Sequence, residues 1–208
     1  MRNPIAIILC GLLLVSPAVA DETTVVGALL KDKINAVVML LQDKAVDKAH
    51  RNERISEIVS PIFDYQTMAK LSLGKKYWPT LSEEQQKTFS ALFTERLQES
   101  YLDKLDLYSD EQVVYGEPQA EGKTIHTPVT LIARDSRINM LYKFYKSAQG
   151  WQIYDVEIGG VSLIQTYRSQ FDGVLRDGTI DDLFARLRTD GAFAMPEPGG
   201  EGARPGTE

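Results

Sequence analysis

The stretch Gly150-Trp151-Gln152-Ile153-Tyr154-Asp155-Val156-Glu157-Ile158-Gly159-Gly160-Val161-Ser162-Leu163-Ile164-Gln165-Thr166-Tyr167-Arg168 changes its hydrophobic period midway, and that change decides the fold. Trp151 to Ile158 is rich in β-branched and aromatic residues, the composition of a strand. Gly159-Gly160 marks a turn. Beyond it Val161, Leu163, Ile164, Tyr167, Phe171, Val174 and Leu175 return at helical spacing. Ser162 suits the cap or first turn of that helix, since its hydroxyl can accept from a free backbone N–H there.

Upstream of this stretch lie three more β-rich runs, Gln112 to Tyr115, Ile125 to Ala133 and Ile138 to Tyr145. Their polar or glycine-containing connections are short, which predicts an antiparallel meander of about four strands. Ile125, Thr127, Val129, Leu131 and Ala133 alternate onto one face, and so do Ile138, Met140, Tyr142 and Phe144. Pro128 points to a bulge or an edge position, because it has no N–H for a ladder.

Everything before Ser109 has helical period. One helix runs from Thr24 to Gln42, a second from Asp47 to Pro61, and a third from Tyr65 until Gly74 stops it. Ser82-Glu83-Glu84-Gln85 then reads as a capping box opening a long helix with Phe89, Leu92, Phe93, Leu97, Tyr101 and Leu105 along one stripe. Downstream, a last helix starts at Thr179 and carries Leu183, Phe184 and Leu187. The pattern is that of an α+β fold.

The ends are expected to lie outside the fold. Arg2, the apolar stretch Ile5 to Val15 and Pro17-Ala18-Val19-Ala20 read as an export signal over residues 1–20, with cleavage before Asp21. The stretch is shorter than the roughly 20 residues a membrane span needs. Cys10, the only cysteine, follows the large Leu9 where a lipidation site takes a small residue, and it departs with the signal. The mature chain then has no disulfide or thiolate ligand, as suits a periplasmic protein. From Asp190 to Glu208 the Gly/Pro/Glu-rich composition predicts a disordered tail, leaving a domain over residues 21–189.

Charge and chemistry narrow the function. Without Arg2, 22 Lys+Arg face 29 Asp+Glu, a net charge of −7, which disfavours nucleic acid as a partner. The two histidines, His50 and His126, lie apart in a charged helix and a strand. Ser162 lacks the second flanking glycine of a nucleophile elbow, because Ile164 stands there. Glu83-Glu84 and Asp181-Asp182 sit at helix starts, where the macrodipole favours carboxylates. No catalytic set, no metal-ligand spacing and no phosphate loop emerges, so the chain is expected to be a cofactor-free non-enzyme. Both faces of the 138–145 strand carry apolar residues, Leu141 and Tyr145 opposing the Met140 face. Two readings stand at this point: helices packed solidly on the sheet, or an apolar cavity between them.

Several segments together resemble the MlaC family of periplasmic phospholipid-binding proteins, also called the toluene-tolerance family. They are Phe63-Asp64 with Met68-Ala69, Leu73-Gly74-Lys75-Lys76-Tyr77-Trp78, Tyr101, and above all Trp151-x-x-Tyr154-Asp155 followed by Gly160-Val161-Ser162 and Tyr167-Arg168-x-x-Phe171. The similarity spans residues 24 to 189. Gly159-Gly160 departs from the Glu-Gly of many relatives.

The resemblance implies a curved antiparallel sheet wrapped by helices, a cystatin-like half-cone with a helical subdomain, enclosing an apolar cavity for acyl chains. It implies a periplasmic shuttle of diacyl phospholipid between an outer-membrane lipoprotein complex and an inner-membrane ABC lipid transporter complex, serving lipid asymmetry. Alternatives are a carrier of another apolar lipid such as a hopanoid, or an enzyme on the same scaffold. With strand alternation, it places Val129, Leu131, Met140, Tyr142 and Phe144 along the lipid cavity, joined by Leu97 and Tyr101 from the long helix and Val161 from the next. The scattered cations Lys75, Lys76, Arg134, Arg137 and Arg168 are expected to form surface patches for protein partners.

Overall fold

The computed structural model describes residues 17–105, 112–132, 137–189 and 191–193. The export signal up to residue 16 with Cys10, as well as Ala133, Arg134, residue 190 and the tail from 194, lies outside these residues.

Four helices precede the sheet: α1 (Pro17–Gln42), α2 (Lys48–Val59), α3 (Tyr65–Tyr77) and α4 (Glu83–Leu105). Each of the last three starts on a side-chain cap. Asp47 accepts from the amides of Ala49 and His50, and Asp64 from that of Thr67 at 2.9 Å. Ser82 and Gln85 form the expected reciprocal box, with bonds of 3.2 and 2.9 Å. Gly74 does not end α3 as expected but kinks it, at φ 78° and ψ 172°.

The antiparallel sheet contains β1 (Gln112–Tyr115), β2 (Gln119–Glu121), β3 (Thr124–Ile132), β4 (Arg137–Ser147), β5 (Gly150–Ile158) and β6 (Val161–Ser162). Its order is β1-β3-β4-β5-β6, with β2 also paired to β3. The two strands beyond the expected four, β2 and β6, are three and two residues long, too short for periodicity to reveal. Pro128 lies between the stretches of β3 that pair with β1 and with β2. Its carbonyl accepts from the Gly116 amide at 2.9 Å in that gap, so its missing N–H falls at a local edge.

One irregularity bends the sheet. Lys143 pairs with Asp155 and Phe144 with Ile153, so Tyr154 is an extra residue on β5. The bulge lets Ile153, Val156 and Ile158 all face inward, although a strict two-residue period would separate Ile153 from the other two.

After β6 come α5 (Leu163–Asp177) and α6 (Ile180–Leu187). Ser162 caps α5 by accepting from the Gln165 amide at 3.1 Å. Asp155, only 6 % exposed, holds the same helix start: it accepts from the Ser162 hydroxyl at 2.8 Å and the Ile164 amide at 3.2 Å. Thr179 and Asp182 form a capping box on α6.

Two larger cores result. α3, α4, α5 and α6 bury Phe89, Phe93, Tyr167 and Phe171 in mutual ring contact. α1 packs Val26 and Leu30 on the inward sheet face with Ile125, Val129, Phe144 and Ile153. Phe63, just before α3, touches both cores and bridges to Ile153. The helical core continues past the expected boundary at 189, because Phe193 is buried against Phe171 with ring centroids 5.1 Å apart. Arg168 is not a surface cation either; its guanidinium is half-buried and bonded to the Leu71 carbonyl.

Candidate functional site: an apolar pocket between sheet and helices

Where the two cores diverge, a small apolar pocket of about 50 Å³ lies between sheet and helices. Its sheet wall is Met140 and Tyr142 of β4 with their cross-strand partners Ile158 and Val156 of β5. Leu97, Tyr101 and Leu102 of α4 form the facing wall, and Leu163 closes one end. Val59, Phe63, Ser56 and Tyr65 from the α2–α3 region complete it, with Gln98 of α4. The inward face is thus packed solid over Val129 and Phe144 and leaves only a narrow apolar cleft at Met140 and Tyr142.

Gln98 donates from Nε2 to the Ser60 hydroxyl at 3.2 Å. Deeper, Tyr142 is 7 % exposed and its hydroxyl donates to the thioether sulfur of Met140 at 3.8 Å, a weak acceptor. Burial, with the nearby Tyr101 and Tyr115 phenols, pushes the Tyr142 phenol well above its ordinary range. Charge is strongly disfavoured at this part of the wall.

Four of the residues expected along the cavity, Leu97, Tyr101, Met140 and Tyr142, meet in this pocket. Val129 and Phe144 share the inward face but are packed in the sheet core, 1 % and 0 % exposed, with Leu131 beside them. Val161 lies in β6 rather than in a helix and is exposed; Leu163, two residues on, takes the wall position instead. Val156 and Ile158 were hidden in the sequence by the bulge at Tyr154, although their register opposite Tyr142 and Met140 would have revealed them. The α2–α3 residues have no local signal, since only the tertiary path of the chain brings them to the sheet.

The opposite sheet face is partly wet. Leu141 is half-buried there. Lys143 pairs with Asp155 at 3.3 Å and Glu157 at 2.5 Å. The Tyr145 hydroxyl donates to Asp64, which accounts for an aromatic residue on that face. His50 pairs with Asp47 and His126 with Glu121. Among the described residues, no group of three or more His, Cys, Asp or Glu is arranged to hold a metal ion. No described helix is long and apolar enough to cross a membrane.

The same architecture occurs in a solved phospholipid-binding protein from Ralstonia solanacearum, whose structure is a complex with a phospholipid. The two share 21 % identity and a TM-score of 0.69, over 77 % of this chain and 93 % of that one. At that identity the likeness establishes the fold. The sequence pattern that defines the MlaC protein family matches residues 31–189, more than half of the chain. On that match the chain belongs to the MlaC family.

Proposed function

We propose that this protein is a periplasmic carrier of diacyl phospholipid, passing lipid between an outer-membrane lipoprotein complex and an inner-membrane ABC transporter complex without catalysis or cofactor. The observation that carries the reading is the predominantly apolar pocket of Met140, Tyr142, Val156, Ile158, Leu97 and Leu163 between sheet and helices. The phospholipid held by the Ralstonia solanacearum protein supports the same choice of ligand.

The energetics suit a carrier. Moving two acyl chains through water exposes on the order of 30 methylenes at about 0.8 kcal/mol each, so unassisted transfer is negligible. A protein that shields the chains needs a pocket and a way to meet each membrane complex, and no reacting group. With a mature charge of −7 and no block of basic residues, attraction to anionic bilayers contributes little. Docking on membrane proteins then sets the rate.

Export precedes all of this in the proposal. Cleavage after Ala20 leaves Asp21 as the first residue and trims α1 by its first four residues, keeping Glu22, which pairs with Lys146.

Mass spectrometry of an organic extract of the purified periplasmic protein tests the ligand, with about one diacyl lipid per chain expected. Protein that is lipid-free and takes up none from vesicles would sink the reading. Transfer of labelled lipid between vesicles should be slow with this protein alone and fast when both membrane complexes are reconstituted. Equal rates in the two cases would replace docking with direct collision. N-terminal sequencing checks the start at Asp21.

A further inference from the structure

The apolar cleft of about 50 Å³ has room for about four water-sized groups. Two acyl chains bring on the order of 30 methylenes, each of about that size. A ligand of those dimensions enters only if one wall moves. Resting on the phospholipid reading, we propose that helix α2 is that wall: a strap that swings away from α4 to admit lipid, while the sheet and α4 keep their places.

The other walls are fastened on several sides. Met140 and Tyr142 lie on β4, which is paired along its length with β3 on one side and β5 on the other. Leu97 sits in the helical core with Phe89 and Phe93. Its neighbour Arg96 donates from Nε to the Leu187 carbonyl at 3.2 Å and so holds α4 to α6. Leu163 follows directly on Ser162, whose hydroxyl donates to Asp155 of β5 at 2.8 Å.

α2 brings Ser56 and Val59 to the cleft on a weaker footing. Ile55 is its single buried residue, set among Val37 and Leu40 of α1, with Tyr101, Leu102 and Leu105 of α4 beside them. Asn52 lies three residues earlier on the same stripe. Its Oδ1 is buried and meets no hydrogen-bond donor among the described residues. A buried acceptor without a partner weakens the contact that encloses it and is relieved when water reaches it. Swinging α2 outward wets this oxygen, and Ile55 is the only fully buried side chain the helix uncovers.

Both ends of the helix suit the motion. At the start, Asp47 and His50 pair with each other, and both side chains are exposed. At the finish, Ser60 accepts from Gln98 Nε2 of α4 at 3.2 Å, a neutral bond that can be exchanged for water. The next residue, Pro61, is tied to the sheet, its carbonyl accepting from Gln152 Nε2 of β5 at 3.5 Å. The strap thus has a fixed end at Pro61 and a light latch at Ser60.

A chain that starts at Asp21 has no cysteine, so paired spin labels can be placed on the full mature protein. Labels at Glu57→Cys and Glu95→Cys report α2 against α4, and labels at Gln149→Cys and Glu95→Cys report the sheet against α4. All three positions are exposed. Distances are measured by electron–electron resonance before and after loading from phosphatidylglycerol vesicles. Loading should lengthen the first distance by about 5 Å, the scale of one helical turn, and leave the second unchanged. A first distance that holds overturns the proposal, and a second that lengthens in its place assigns the opening to the sheet. Asn52→Leu, which replaces the unpartnered acceptor with an apolar group, should slow release of loaded lipid to acceptor vesicles about tenfold at preserved occupancy. Release at the wild-type rate also overturns the strap. Wild-type protein that takes up no lipid defeats the phospholipid reading, and this inference with it.

Discussion

Arg168 donates from Nε to the carbonyl of Leu71 at 3.1 Å, with a second bond from Nη2, and so ties α5 to α3 beside the kink at Gly74. In a regular helix that carbonyl meets the amide of residue 75, on the far side of the kink. The guanidinium also limits the kink residue, since a Cβ at position 74 would lie 3.3 Å from Arg168 Nε.

Loss of the Arg168 fork should therefore cost about 1–3 kcal/mol. Urea unfolding of Arg168→Ala measures it, and Arg168→Lys should recover only part, because an ammonium lacks the planar fork. Gly74→Ala should cost a similar amount from its backbone conformation alone. An Arg168→Ala protein as stable as wild type would mean that the bond is not held in solution.

Asp155 joins the sheet to the start of α5 through Ser162, Ile164 and Lys143. Asp155→Asn keeps the shape but turns one acceptor into a donor facing Lys143. A loss of about 2–3 kcal/mol is expected in denaturant unfolding. Hydrogen exchange should rise first at the α5 amides; exchange that rises uniformly would contradict the local role.

Met140 and Leu141 test the two sheet faces. Met140→Asp places a carboxylate in the pocket wall and should reduce lipid occupancy about tenfold or more. Leu141→Asp, on the half-wet face, should leave occupancy near that of wild type. Extracted lipid per chain decides it, and the opposite ranking would mean that lipid lies against the other face.

Asp64 carries the pH dependence. Burial works to raise its carboxyl, but bonds from the Tyr145 hydroxyl and the Thr67 amide outweigh that and hold it below its ordinary range. A folded value below the unfolded one, about 3.9, stabilises the protein fully above the unfolded value. The contribution is lost as pH falls through the folded value. Tyr145→Phe should raise the Asp64 carboxyl in an NMR titration and lessen this acid-side stability loss. An unmoved titration midpoint would show that the phenol is not its partner.

Much of this was legible locally. The period change at Gly159-Gly160, the capping box at Ser82 and the Ser162 cap all rest on neighbours within four residues, and all three are present. Alternation along β4 put Met140 and Tyr142 on the pocket side. Features that depend on distant chain were not legible. Val129 and Phe144 share the pocket's face, yet α1 covers them, and periodicity has no means of telling a covered position from an open one. Arg168 looked like a surface charge because its partner is a backbone carbonyl 97 positions away. Phe193 stood in a polar, glycine-rich context that concealed its packing on Phe171.

The bulge at Tyr154 separates two properties that strands usually couple. Deleting that one residue would restore regular pairing and leave Ile153, Val156 and Ile158 facing where they do now. Only the bend would go. Sidedness is thus a matter of residue identity, whereas the depth of the hollow behind β4 and β5 is a matter of chain length. Substitutions along these strands change the chemistry of the pocket wall; a single-residue insertion or deletion changes the curvature of the sheet that backs it.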